Sequence, residues 1–183
     1  MLLAQSPPAE LQPAPTDHVL GKQDAPVVIV EYASMTCPHC ASFHNEVLPE
    51  LKKKYIDTGK VRYVYRDFPL DAVALQAAQI AECAGSERYF AVLDLIFQTQ
   101  SQWAAAKDPM ADLAKSLRIG GITEADIKTC LANDKIATAI VAERQAGEKL
   151  GVSATPTLFI NGERWTGART IAALDDALAK VLK

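Results

Sequence analysis

Residues 71–150 carry helix signals without a strand run, yet strand-forming runs stand on both sides of them. Any sheet must therefore be assembled from the two ends of the chain, with a helical unit carried between. Upstream, Val27-Val28-Ile29-Val30-Glu31-Tyr32 is β-branched and apolar on both parities, the pattern of a strand buried on both faces. A helix is expected after Cys37, with Phe43, Val47 and Leu51 as its buried stripe and Pro49 predicting a kink or a break. The run from Val61 to Arg66 reads as a second strand, ended by Phe68-Pro69. Downstream, Thr157 to Ile160 and Glu163 to Thr166 flank Asn161-Gly162, a pair that favours a tight hairpin and so an antiparallel edge. Thr170 caps a last helix with Ile171, Leu174, Leu178 and Val181 as its apolar stripe. The order is β-α-β, helical insert, β-β-α, an α/β chain.

Within the insert, Asp71, Asp108, Thr123 and Asn133 each precede an apolar stripe as helix caps, and Gly85, Gly120-Gly121 and Gly151 stand where helices should stop. A bundle of four or five helices is expected. Pro7, Pro8, Pro13 and Pro15 make residues 1–17 read as a flexible tail. That leaves residues 18–70 and 151–183 for the sheet-bearing domain and 71–150 for the insert. The 183 residues are 49% hydrophobic and 22% charged, which suits a soluble globular chain and excludes disorder. Lys and Arg number 19 against 22 acidic residues, so no basic excess exists to neutralise phosphates and a nucleic-acid partner is excluded. No apolar run reaches the roughly 18 residues of a spanning helix, and Met1 to Ala4 is too short for the apolar part of an export signal.

Four cysteines allow three complete pairings, and their spacing separates two jobs. Cys37-Pro38-His39-Cys40 follows the first strand at once. Cys37 then sits at a helix N-terminus, where unpaired N–H groups and the helix dipole favour its thiolate, and Pro38 is counted with it among the candidate catalytic residues. His39, when protonated, adds positive charge near the same sulfur. Cys40, one turn on, is placed to attack a mixed disulfide on Cys37, as a resolving cysteine. Chain entropy gives roughly 2 kcal/mol for the small Cys37–Cys40 ring and roughly 4 kcal/mol for a Cys83–Cys130 bridge closing about 48 residues, so the first is easily reopened and the second is structural. Free thiols on two helix faces are the alternative for Cys83 and Cys130.

The rival chemistry is zinc on Cys37, Cys40 and His44, but a fourth ligand is missing nearby and no metal is assigned. His44 reads as a surface helix residue, and His18 likewise as a surface residue. Thr155-Pro156 opens the third strand, and base rates alone favour a trans peptide there. Glu31 is a carboxylate in an otherwise apolar strand. It is either buried, where it could exchange a proton with Cys40 through water, or a strand-end side chain reaching solvent.

The motifs Val28-Ile29-Val30-Glu31-Tyr32, Cys37-Pro38-His39-Cys40, Arg66-Asp67-Phe68-Pro69-Leu70, Gly151-Val152-Ser153-Ala154-Thr155-Pro156-Thr157 and Asn161-Gly162 together resemble the DsbA-like thiol-disulfide oxidoreductases of the thioredoxin superfamily. The resemblance implies a thioredoxin fold with an inserted all-helical domain. It implies that Cys37 is the exposed nucleophile and Cys40 its buried partner. Pro156 would be a cis proline packed against the Cys37–Cys40 disulfide, with Thr155 offering backbone to substrate, and Glu31 a buried proton carrier. It further implies a monomeric protein dithiol oxidase without a cofactor, working outside the cytoplasm on unfolded or partly folded exported proteins. A membrane reoxidant of the DsbB or VKOR type would restore the disulfide. An isomerase or reductase of the same fold is the alternative, and a metal- or partner-binding module of this fold is the alternative of another class.

Overall fold

The computed structural model describes residues 8–182. Five strands form one sheet in the order β1-β3-β2-β4-β5: β1 His18–Leu20, β2 Val27–Ala33, β3 Val61–Asp67, β4 Thr157–Ile160 and β5 Glu163–Arg164. The β2 strand is central, parallel to β3 and antiparallel to β4, and its side chains bury into apolar clusters on both faces of the sheet, Ile29 and Ala33 on one and Val30 and Tyr32 on the other. Asn161 and Gly162 both take positive φ, 48° and 82°, which is what the two-residue β4–β5 turn demands. The β5 edge is only two residues long, shorter than its sequence pattern suggests, and β1 has no strong sequence signature at all.

Residues 38–56 form one helical run, α1. It passes through Pro49 without breaking, because π turns at Phe43–Val47 and Lys52–Ile56 flank the short α-helical stretch Leu48–Leu51. The wider turn removes the requirement for a Pro49 N–H and gives its ring room, so the kink or break expected from the sequence is replaced by a bulge.

Between β3 and β4 lie six helices: α2 Ala72–Cys83, α3 Tyr89–Gln98, α4 Gln100–Trp103, α5 Pro109–Leu117, α6 Glu124–Leu131 and α7 Asp134–Lys149. The four-residue α4 is the addition to the expected bundle. Asp71, Asp108, Thr123 and Asn133 cap α2, α5, α6 and α7 by accepting backbone N–H bonds, which satisfies donors the first turn would otherwise leave bare. Cys83 and Cys130 are bonded to each other, joining the end of α2 to α6. Gly147 lets α7 lie close on the sheet, since a Cβ there would stand 2.8 Å from the Tyr32 ring. Glu143 of α7 also accepts the Asp67 N–H at 2.6 Å, and burial pushes its carboxyl up to about 8. The last helix, α8 (Ile171–Val181), buries Leu174 and Leu178 but leaves Val181 exposed.

The proline-rich segment is a correction. Residues 1–7 lie outside the described residues, but residues 8–17 are held rather than loose. Leu11 is buried, and the Arg66 guanidinium donates to the carbonyls of Glu10 and Gln12 and to the Asp17 carboxylate. Pro8, Pro13 and Pro15 lower the entropy lost in fixing an extended segment, so they suit a strap as well as a tail.

Candidate active site

Strand register builds the site. Tyr32 pairs with Thr157, so the residues just before β4 come level with the loop that leaves β2 and enters α1. Cys37 therefore meets Thr155-Pro156 across a gap of over a hundred residues in sequence, with its Sγ 3.5 Å from the Thr155 carbonyl. The Thr155–Pro156 peptide is cis, against the base rate for such bonds. Arg169 donates to the Pro156 carbonyl at 2.9 Å, and Thr157 Oγ1 to the Ala154 carbonyl at 2.7 Å, which fixes the loop on either side.

Cys37 is the N-cap of α1 and Pro38 its first residue; the Cys37 carbonyl accepts the N–H groups of Cys40 and Ala41, each at 3.1 Å. Both cysteines are free thiols. The Cys37 thiol is lowered from an ordinary value near 9 to about 5. The main cause is the Cys40 thiol donating to it, opposed by burial and assisted by Thr155 and the backbone N–H groups of Cys40 and His39. Cys40 is fully buried, and burial, its bond to Cys37 and the charge of Glu31 all push its thiol up. One sulfur is thus poised as an anion and its neighbour as a proton donor.

Two expectations change in detail. Cys37 is 7% exposed, more accessible than Cys40 but not an open surface residue, because the cis-proline loop covers its sulfur. His39 is exposed, and what it brings to the sulfur is its backbone N–H. A cleft of about 470 Å³ opens beside the pair, lined by His39, Phe43, Thr155, Pro156, Arg169 and Ile171 among others.

Behind Cys40, Glu31 is fully buried. Its parity in β2 puts it on the face of Ile29 and Ala33, toward α1 and the insert. There its Oε2 accepts from the Tyr63 hydroxyl and stands 3.1 Å from His44 Nε2. His44 is 4% exposed and stacks on Phe97, so the surface position expected for it is wrong: the π turn and the Phe97 ring draw it into the core. His18 is also no free surface residue, since it stands in β1, stacked on Tyr89 and bonded to Glu82. Among the described residues, no three His, Cys, Asp or Glu side chains are gathered to hold a metal ion.

Gln100 went unnoticed in the sequence. From α4 it donates to the carbonyls of Met35 and Cys37, both at 2.9 Å, and so fastens the redox loop to the insert. Asp71 does the same from α2, accepting the Thr36 hydroxyl at 2.7 Å while capping its own helix. One of three glutamines at alternate positions, Gln98, Gln100 and Gln102, carries no local signal that singles it out for such a role. His44 did carry one: it lies four residues after Cys40, hence on the same helix face, and one turn before buried Leu48.

A helix-capping cysteine pair facing a cis-proline loop on a mixed sheet defines the thiol-disulfide exchange class of protein. The family model described as thioredoxin matches residues 13–180. Wolbachia pipientis alpha-DsbA1 superposes with a TM-score of 0.85 at 33% identity, covering 94% of both chains. BdbD of Bacillus subtilis, oxidised, gives a TM-score of 0.80 over 91% of this chain and 92% of its own, at an identity of 22% that shows the fold alone. A Rickettsia conorii chain with a provisional protein-disulfide oxidoreductase name is 40% identical over 172 residues, 91% of this chain and 61% of its own length. The chain thus spans about three-fifths of the curated relatives it first matches. It belongs to the thioredoxin superfamily, in the branch of DsbA-like thiol-disulfide oxidoreductases. Among the described residues no helix is long and apolar enough to cross a membrane.

Proposed function

We propose that the chain is a dithiol oxidase that passes the Cys37–Cys40 disulfide to cysteines of exported proteins outside the cytoplasm. The observation that carries this reading is a helix-capping Cys37, its Sγ 3.5 Å from the Thr155 carbonyl of the cis-proline loop, beside a fully buried Cys40, an environment that lowers the Cys37 thiol to about 5 and pushes Cys40 up. A client thiolate bonds to Cys37 Sγ while the Cys37–Cys40 bond breaks and Cys40 leaves with the electron pair. The client's second thiolate then forms the client disulfide, and Cys37 leaves as its stabilised thiolate. Two electrons pass to the enzyme, and a membrane reoxidant takes them up. A leaving group that is comfortable as an anion favours the reduced enzyme, which is what an oxidant requires.

Unfolded segments enter by the cleft beside His39 and Arg169, with backbone offered at Thr155, and the chain acts as a monomer. Residues 18–70 and 151–183 form the redox domain. The insert, 71–150, steadies the loop through Gln100 and Asp71 and carries the Cys83–Cys130 bond as a structural link.

Two measurements test this reading. The Cys40→Ala variant should accumulate mixed disulfides on Cys37 with exported proteins in cells. Equilibration of the intact protein with glutathione should give a potential well above about −270 mV, the thioredoxin range. A potential at or below that value makes the chain a reductase, and efficient rescue of scrambled substrate by the reduced protein makes it an isomerase.

A further inference from the structure

His44 stands between two features that the exchange chemistry leaves unexplained. On one side is the buried Glu31 carboxylate, whose Oε2 it meets at 3.1 Å, with the Tyr63 hydroxyl 3.4 Å from the same ring nitrogen. On the other is a cavity of about 330 Å³ that shares no lining residue with the client cleft. His44 lines that cavity with Leu20, Leu48 and Phe90, and the exposed side chains of Asn45, Lys52, Asp94 and Gln98 form its open rim. Two buried atoms in this row have no hydrogen-bond partner among the described residues: Glu31 Oε1 and His44 Nδ1. A fully buried carboxylate and an imidazole with one ring nitrogen spare are an expensive arrangement for packing alone.

Every reaction cycle gives them work. When a client thiolate opens the Cys37–Cys40 bond, Cys40 leaves as a thiolate in a site that penalises its charge, so it must take up a proton. When the enzyme is reoxidised, Cys40 must lose that proton before it can attack the mixed disulfide on Cys37. Cys40 is fully buried, and the client or oxidant covers the cleft at both moments. The proton needs another way out.

We propose that His44 is that way, the relay through which the proton shared by Cys40 and Glu31 exchanges with water in the cavity between α1 and α3. The inference rests on the exchange chemistry proposed above and assigns His44 as a positioning and relay residue, acting on Cys40 through Glu31. Imidazole suits the task because it can accept on one nitrogen while releasing from the other. The Phe97 ring, stacked at 4.1 Å, and the Tyr65 ring, edge-on at 5.5 Å, hold it in line. The charged and titratable groups that face it are Glu31 from β2, Tyr63 and Tyr65 from β3, Asp94 from α3 and Lys52 from its own helix. Burial pushes the Asp94 carboxyl up while His44 and Lys52 oppose that, so Asp94 feels the ring from across the cavity.

The test separates the two thiols. Reduced protein is mixed with excess oxidised glutathione and quenched at intervals. The first step, attack by the Cys37 thiolate, needs no proton from Cys40, whereas decay of the Cys37–glutathione adduct does. His44→Gln keeps a hydrogen-bonding side chain toward Glu31 but cannot relay, and His44→Ala leaves a hole continuous with the cavity. Both should form the adduct at the wild-type rate and resolve it about 100-fold more slowly, the scale of a lost general acid–base group. Added imidazole should speed resolution in His44→Ala and leave the wild type unchanged. Wild-type resolution rates in both variants, or a His44→Ala defect that imidazole does not relieve, would overturn the relay. If His44→Ala does not fold, the His44→Gln rate decides alone, since an unslowed resolution contradicts the assignment. Failure of the wild type to form any adduct would instead remove the exchange reading itself.

Discussion

At pH 7 the reduced protein should draw stability from an ionised thiol that the oxidised protein lacks, and that contribution should fade as the pH falls toward 5. The cause is linkage through one sulfur. The Cys37 thiol titrates near 5 in the folded chain and near 9 when unperturbed, so between those values the unfolded chain holds a proton that the folded chain has released. Stability of the reduced form therefore rises with pH across that window and loses the contribution below about 5, while above about 9 the raised Cys40 thiol, still protonated in the folded chain, turns the trend downward. The oxidised form has no such thiol. Allowing for the partial solvent access of the sulfur, ionisation contributes about 1 to 2 kcal/mol at pH 7, set against a pH-independent ring-closure contribution of roughly 2 kcal/mol in the oxidised form. Asp67 and Glu143, whose buried carboxyls are raised, work in the opposite sense and cost stability as the pH climbs through their range. They are present in both redox forms and cancel in the comparison. Paired melting curves at several pH values give the answer, and a gap independent of pH would contradict it.

The second large effect concerns the other cysteines. Replacing Cys83 and Cys130 together by alanine should lower stability by about 4 kcal/mol, because their sequence separation of 47 closes a long loop in the unfolded chain. For a chain of this size that corresponds to a melting temperature lower by roughly 10 °C. Exchange at Cys37 should continue at its normal rate below the new transition, since the bridge ties α2 to α6 while the redox loop is held by Gln100 of α4 and by Asp71. A variant that melts as the wild type does would show that the insert holds α2 and α6 together without the bond. One that folds normally but loses exchange would assign the bridge a part in the chemistry.

What could be read from the chain depended on how local its cause was. The caps Asp71, Asp108, Thr123 and Asn133, the Asn161-Gly162 turn and the β-branched run of β2 are consequences of neighbouring residues, and they stand where the pattern puts them. Cys37 and Cys40 were legible for the same reason, as a spacing within one helical turn. Gln100 was not, because its partners lie more than sixty residues away and glutamine has no periodic signature. Arg66 is a similar case. Its guanidinium converts a proline-rich tail into a strap, and only the fold brings Glu10, Gln12 and Asp17 around it. His44 was misplaced because a polar residue on a helix is ordinarily a solvated one, and neither the π turn nor the acid waiting across β2 can be inferred from helix periodicity. Pro156 shows the limit of base rates. The peptide is cis where most are trans, and family motifs, not local propensity, pointed to it.

The account rests on the ionisation of Cys37, and thiolate absorbance in the far ultraviolet reads it directly. Titrated in the reduced protein with a Cys37→Ser control, the signal should rise once, with a midpoint near 5, and Cys40 should stay protonated through the neutral range. A midpoint near the ordinary value of about 9 would leave the disulfide with no reason to open, and the proposed oxidase would fall with it.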